Sequence, residues 1–283
     1  MKFSEITGVV MDMDGVLWRG DTPLPGLDVL FQWLTESETP FVLATNNSSR
    51  TQADYVVKLT KLGIANVPER NIVTSATATA AYIKSHYPAD TRIHVFGMVG
   101  LRRILNSAGL TLVDYDGQID PPDIVVAGID FELTYDALKW TALAIRAGAE
   151  YIGTNPDKTF PSMEGLVPGA GSMLAALEAA TDQQPTVIGK PGMPMFETAL
   201  DVLGTSAENT LMIGDRLGTD ILGGKNAGMQ TALLFTGVTT PDDLTQDADT
   251  VWPDVAYEGL PELVRAWAGD DWYMAAMKAK RKK

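Results

Sequence analysis

The sequence predicts an α/β fold: a parallel sheet covered by helices on both faces, interrupted by a second α/β unit. Three observations carry this. Short apolar runs alternate with longer amphipathic ones along the whole chain. The short runs are apolar at nearly every position, which suits strands buried on both faces. The longer stretches carry helix start and stop signals, as strand–helix–strand crossovers require.

In chain order, strands are expected at Gly8–Met11, Phe41–Ala44, Arg92–Phe96, Ile124–Ala127, Tyr151–Gly153, Thr186–Ile188, Thr210–Ile213 and Thr231–Phe235. Helices fall between them. In "RTQADYVVKLTKLG" Tyr55, Val56, Leu59 and Leu62 share one face, and Gly63 supplies the stop. "TYDALKWTALAIRAG" opens on Thr134 as N-cap and closes at Gly148, and "GMPMFETALDVLG" ends likewise at Gly204. From about Ala80 to Asp182 the chain holds strand–helix pairs of its own, flanked by the turn-rich "SHYPADT" and "ATDQQPT". The expected division is therefore 1–79 with 183–268 as one discontinuous domain, 80–182 as an insertion, and 269–283 as a C-terminal tail.

The 283 residues provide enough volume for a sizeable core, and 45% hydrophobic with 20% charged residues is ordinary for a globular chain. There is no cysteine, so disulfides and thiolate sites are excluded, in keeping with a reducing cytoplasm. Lys2, Ser4, Glu5 and Thr7 break up any N-terminal apolar region, and no run of ~18 apolar residues suggests a membrane span. The net charge of −14 repels nucleic acid. The basic run "KAKRKK" at Lys278–Lys283 reads as a solvated end. An anionic substrate would need local cations to overcome the global field.

The polar residues that follow the apolar runs are the informative ones. "GVVMD" ends in Asp12, with Asp14 two residues on; "FVLATNNSS" carries Thr45 and Asn46; "TVIGK" ends in Lys190; "TLMIGD" ends in Asp215, with Asp220 in "GDRLGTD". In an open parallel sheet, ligands bind beyond the carboxyl ends of the strands. Asp12 and Asp215, with a backbone carbonyl and waters, suit Mg²⁺, which usually takes one or two carboxylates plus substrate phosphate. Lys190 offers a compact positive charge for phosphoryl oxygens. Thr45 offers a hydroxyl, and a helix start after Asn46–Ser49 offers free N–H groups. Without cysteine, and with neither His86 nor His94 after such a run, the nucleophile is a carboxylate, a hydroxyl or activated water. A carboxylate can form an acyl phosphate, and Asp14 can protonate the leaving oxygen and later activate water.

Each residue also has a plain structural reading. Asp-x-Asp-Gly is turn chemistry. Thr45–Ser48 can cap a helix, Lys190 can sit in a surface turn, and Asp220 can cap its own helix. Asn155 and Asp157 can merely shape a turn. Trp18 and Arg19 read as packing and solvent contacts, and both histidines as structural or exposed.

Taken together, "DMDGVLWRG", "TNNSSR", "GKP" and "GDRLGTD", in that order, resemble the four motifs of the haloacid dehalogenase-like (HAD) hydrolases. The resemblance is closest to the NagD-like / 4-nitrophenylphosphatase branch, through "TNPDKTFPSMEGLVPGAGS" at 154–172, similar to the signature of that branch's large α/β cap. It spans about residues 6 to 240 and implies a Rossmann-like core with the insertion as a C2-type cap. It implies Asp12 as nucleophile and Asp14 as acid/base, with Thr45, Asn46 and Lys190 binding the phosphoryl group. The implied metal set is Asp12, Asp14 and Asp215 around Mg²⁺, supported by Asp220. Relatives of this branch often dimerise through the cap.

Three function classes fit this chemistry: a Mg²⁺-dependent phosphomonoesterase, a phosphotransferase or phosphomutase on the same scaffold, and a receiver-type signalling module. The chain is over twice the usual receiver size and carries a long insertion, which disfavours the third. The first two divide on whether water alone accepts the phosphoryl group. Nothing at the four strand ends reads a leaving group, so specificity is expected from the insertion, at Asn155, Asp157, Pro161, Glu164 and Gly165. The expected partner is a small phosphorylated metabolite, with neither nucleic acid nor membrane.

Overall fold

The structure, a computed structural model, describes residues 1–162, 164–244 and 250–280. The fold is α/β with two parallel sheets. The chain divides by packing into two compact units. One comprises Met1–Ala44, Ala53–Ile72 and Ala199–Lys283; the other comprises Thr45–Gln52 and Val73–Thr198.

The first sheet runs, edge to edge, Val255–Tyr257, Gln230–Leu234, Thr210–Gly214, Gly8–Met11, Phe41–Thr45, Ile72–Thr74. Gly8–Met11 is parallel to both its neighbours, with Val10 opposite Met212 on one side and Val42 on the other. Every residue of Gly8–Met11 and of Thr210–Gly214 is buried, as the unbroken apolar runs predict for strands covered on both faces. Val9, Met11, Leu43 and Ile213 belong to one core with Leu30 and Leu34 of the helix Leu27–Glu36, Leu59 of Gln52–Lys61, and Leu263 of Leu260–Ala268. Each such burial stabilises by about 1.5–3 kcal/mol.

The second unit is built on a five-stranded parallel sheet in the order Thr186–Val187, Glu150–Gly153, Ile124–Ala127, Arg92–Phe96, Thr111–Val113. Phe96, Val125, Ile145, Tyr151, Leu174 and Leu177 form a core of this unit. The helix Tyr135–Arg146 starts where expected: Thr134 Oγ1 accepts from the N–H of Ala137 at 3.1 Å. A two-stranded antiparallel hairpin, Thr159–Ser162 with Gly165–Pro168, precedes the helix Ala170–Thr181.

The expected tail is a helix, Asp270–Lys280, within the first unit. Trp272 sets its ring 4.9 Å from Trp33 and donates from its indole nitrogen to Glu36 at 2.7 Å. Lys280 pairs with Asp28. Aromatic packing thus fastens this segment to Leu27–Glu36. Of the basic run at 278–283, residues 281–283 lie outside the described residues. Among the described residues, no helix is long and apolar enough to cross a membrane.

Candidate active site

In the first unit, the chain leaves the sheet at Asp12, whose N–H still donates to the Ile213 carbonyl at 2.9 Å. This last ladder bond fixes Asp12 beside the end of the neighbouring strand, and its residue is 9% exposed. The chain then folds back, with Leu17 N–H on Met13 O at 2.8 Å and Gly15 N–H on Trp18 O at 2.8 Å. Gly15 has φ +95°, and a Cβ there would stand 2.6 Å from Asp215 Oδ2. Both the turn and the close approach exclude a side chain. Asp14 is exposed, and its Oδ1 accepts from the Trp18 indole N–H at 2.9 Å.

Asp215 follows the adjacent strand and is 1% exposed. Its Oδ2 accepts from Val238 N–H at 2.7 Å, and its carbonyl accepts from Thr239 N–H at 3.1 Å. Gly237 lies so close that a Cβ there would fall 1.8 Å from Asp215 Oδ2. Asp220, also 1% exposed, sits in a single π-helical turn, Leu217–Ile221, a local widening frequent at functional sites. Its Oδ2 accepts from the N–H groups of Asp215 at 3.2 Å and Arg216 at 3.1 Å. Asp220 therefore caps its own turn and orients the segment bearing Asp215.

Carboxylate oxygens of Asp12, Asp215 and Asp220 all lie within 4.8 Å of one another. At an effective dielectric of about 20, each pair of like charges at that spacing repels by about 3–4 kcal/mol. Hard oxygen donors, nearly removed from water and gathered this closely, match what a small divalent cation requires. The donor set fits Mg²⁺. The Asp14 carboxylate is outside this cluster of three and is tied instead to Trp18.

The remaining strand-end residues lie in the second unit. Thr45 is buried, and its Oγ1 accepts from Asn47 N–H at 3.2 Å. Asn46 Nδ2 donates to Lys190 O at 2.9 Å and to Asp157 Oδ2 at 3.2 Å, which uses both amide hydrogens. Its carbonyl accepts from Asn155 Nδ2 at 2.7 Å and Ser75 Oγ at 2.7 Å. Asn155, itself buried, holds Asp157 N–H through Oδ1 at 3.1 Å. Lys190 is only 2% exposed, an expensive position for an ammonium unless polar or charged groups meet it. Of the other insertion residues, Pro161 lies in the hairpin opposite Leu166, Gly165 opposite Ser162, and Glu164 is exposed at the turn. The histidines stand apart from these groups. His94 is buried between Thr141 Oγ1 and Tyr115 N–H, and burial holds its ring below the usual imidazole range. His86 is exposed and stacks on Tyr82.

Trp18 is buried in the core, as its packing reading expects, and adds an indole hydrogen bond to Asp14 that the sequence does not show; the Thr236–Thr239 loop is missed. A signal exists for the loop: Thr236 and Gly237 follow an apolar strand, Gln230–Leu234, just as the other polar groups do.

A family model described as haloacid dehalogenase-like hydrolase matches residues 9–111, and one described as HAD-hydrolase-like matches residues 187–263. The chain belongs to the haloacid dehalogenase-like hydrolase family. Among its relatives in that family, a protein named 5′-nucleotidase YutF from Bacillus subtilis is 37% identical over 91% of this chain and 97% of its own length. Two solved family structures superpose closely. A 4-nitrophenylphosphatase from Thermotoga maritima gives a TM-score of 0.84 at 38% identity, covering 94% of this chain and 98% of that one. A glycerol phosphate phosphatase from Mycobacterium tuberculosis, in complex with magnesium, gives 0.82 at 32% identity, covering 92% and 77%. The matched segments of the HAD-like hydrolase models contain Asp12, Asp14, Thr45 and Asn46, then Lys190, Asp215 and Asp220.

Proposed function

We propose that this chain is a Mg²⁺-dependent phosphomonoester hydrolase that works through an aspartyl phosphate on Asp12. The observation that carries the reading is the cluster of Asp12, Asp215 and Asp220, three buried carboxylates within 4.8 Å. The relatives are named for a nucleotide, an aryl phosphate and a glycerol phosphate. What those substrates share is the phosphomonoester, so the reading is pinned to the phosphoryl group rather than to one leaving group.

Asp12, Asp215 and Asp220 would hold the metal directly or through its waters; when bound, it offsets negative charge on the carboxylates and phosphoryl oxygens. A carboxylate oxygen of Asp12 attacks phosphorus, and the bond to the leaving oxygen breaks as Asp14 gives that oxygen a proton. Asp14 then takes a proton from water as the water oxygen bonds phosphorus. The Asp12–phosphorus bond breaks, and inorganic phosphate leaves. Thr45 and Lys190 are assigned to the phosphoryl oxygens by their places in the family motifs. Asn46 takes part through its main-chain N–H, because both its amide hydrogens are engaged.

The test is phosphate release with water as sole acceptor. EDTA is expected to silence the enzyme and Mg²⁺ to restore it. Ca²⁺, with its longer bonds and looser shell, is expected not to support turnover. Full activity in EDTA would refute the metal role, full activity in Ca²⁺ would contradict the small-cation geometry, and phosphate release only with an added sugar acceptor would mark a phosphotransferase.

Leaving-group selection is assigned to the inserted segment. In the hairpin, Leu166 is 75% exposed and Glu164 is exposed at the turn, so these side chains have room to meet a ligand. Exchanging residues 159–165 for the same stretch of a relative with a different preference should re-rank a phosphomonoester panel. Asn155 and Asp157 stay in place, so that their bonds to Asn46 are not lost at the same time. One pocket contact is worth ~10–200-fold in kcat/KM. An unchanged ranking would place specificity elsewhere.

A further inference from the structure

We infer that Trp18 is a positioning residue for Asp14, selecting which carboxyl oxygen exchanges the proton. The inference rests on the acid–base reading of Asp14 above.

Trp18 is fully buried, on the short hairpin strand Trp18–Arg19 that pairs with Thr22–Pro23. Its ring belongs to the core of the first unit, and Lys58 Nζ stands 4.2 Å above it, a cation on the aromatic face. Its main chain is pinned by Gly15 N–H on Trp18 O at 2.8 Å and Trp18 N–H on Met13 O at 3.3 Å. Next to it, the Arg19 guanidinium donates to Thr236 O at 2.5 Å. The indole nitrogen therefore has a fixed place, and it points at Asp14 Oδ1 at 2.9 Å.

An indole N–H donates and cannot accept. A hydroxyl or an amide could serve either state of a carboxyl group by turning round; Trp18 cannot. Oδ1 must stay an acceptor whether Asp14 is charged or neutral, so the proton of the neutral form resides on Oδ2. In the first half-reaction the Oδ2 proton passes to the leaving oxygen as its bond to phosphorus breaks. In the second, a water proton passes to Oδ2 as the water oxygen bonds phosphorus. Oδ1 keeps its partner throughout. Asp14 is an exposed side chain, so the indole bond supplies the order that proton transfer requires.

The experiment uses the full chain with Mg²⁺ and compares an alkyl phosphate with 4-nitrophenyl phosphate, whose leaving group needs little protonation. Trp18→Phe keeps an aromatic ring and removes the donor. It should lower kcat on the alkyl phosphate by ~10–100-fold, part of the ~10²–10⁴-fold that general acid–base catalysis supplies. On 4-nitrophenyl phosphate the loss should stay within about threefold, with KM little changed. In the Asp14→Asn background the same substitution should change neither rate further, since both act on one step. Equal losses on both substrates, or a full additional loss in the Asp14→Asn background, would make Trp18 a packing residue and overturn the inference. If Trp18→Phe does not fold, 3-benzothienylalanine at position 18 keeps the indole shape with sulfur for N–H. It should show the same selective loss, and parental turnover of the alkyl phosphate would overturn the inference. If Asp14→Asn itself slows both substrates equally, the acid–base reading of Asp14 falls and this inference with it; the Trp18 outcomes alone leave that reading standing.

Discussion

Asp12→Asn should abolish turnover of every phosphomonoester, a fall of ~10⁴-fold or more, while the protein stays folded. The substitution keeps shape and volume but removes the charge that makes the oxygen a nucleophile. The bond that seats Asp12 beside the neighbouring strand comes from its main-chain N–H to Ile213, which the substitution leaves in place, and the strand behind it is wholly apolar. Removing one of three clustered carboxylates also relieves repulsion, so the melting temperature in EDTA should not drop. Among the described residues, no further carboxylate or histidine is gathered with Asp215 and Asp220. The measurement is kcat on a panel of phosphomonoesters, with a thermal melt as control. Activity within tenfold of the parent would remove Asp12 from the role.

Asp14→Asn is expected to cost ~10²–10⁴-fold on an alkyl phosphate and clearly less on 4-nitrophenyl phosphate. Asparagine keeps an oxygen at the Oδ1 position, so the bond from Trp18 survives and the side chain stays in place. What is lost is the transferable proton. An alkoxide is a poor leaving group without protonation, whereas 4-nitrophenolate departs readily. The two substrates, measured side by side at saturating Mg²⁺, therefore separate proton transfer from positioning. Equal losses on both would mean that Asp14 acts through structure.

Much of the fold is legible in the sequence because the central strands are buried on both faces and leave unbroken apolar runs. Gly8–Met11, Arg92–Phe96 and Ile124–Ala127 fall where those runs do. The three-residue strands Ile72–Thr74, Thr111–Val113 and Val255–Tyr257 at sheet edges are too short to show any period. The carboxylate cluster is legible for a local reason: each aspartate sits at or just past the end of such a run, and parallel strands bring their ends to one edge. Trp18 and Val238 carry no comparable mark, and Gly237 is marked only by following the apolar strand Gln230–Leu234. Their contributions are a hydrogen bond or a close approach to a carboxylate, and for the loop that carboxylate is 22 or 23 residues away in sequence. The engagement of the Asn46 amide is equally hidden, because its partners lie 111 and 144 residues further on.

The place of Gly8–Met11 inside its sheet has a consequence for biosynthesis. Its two lateral partners are Phe41–Thr45 and Thr210–Gly214. The first is made almost at once, and the second only after the whole second unit has emerged. At about 5–20 residues per second, the ribosome takes roughly 10–40 s to travel from Asp12 to Asp215. Through that interval the nascent chain presents Val9, Val10 and Met11 with one flank unpaired, the type of apolar edge that recruits wrong partners. Meanwhile Val73–Thr198 has nearly all of its own chain available and can close first. The residue proposed to carry the phosphoryl group is among the earliest made, yet the strand that holds it acquires its second neighbour late.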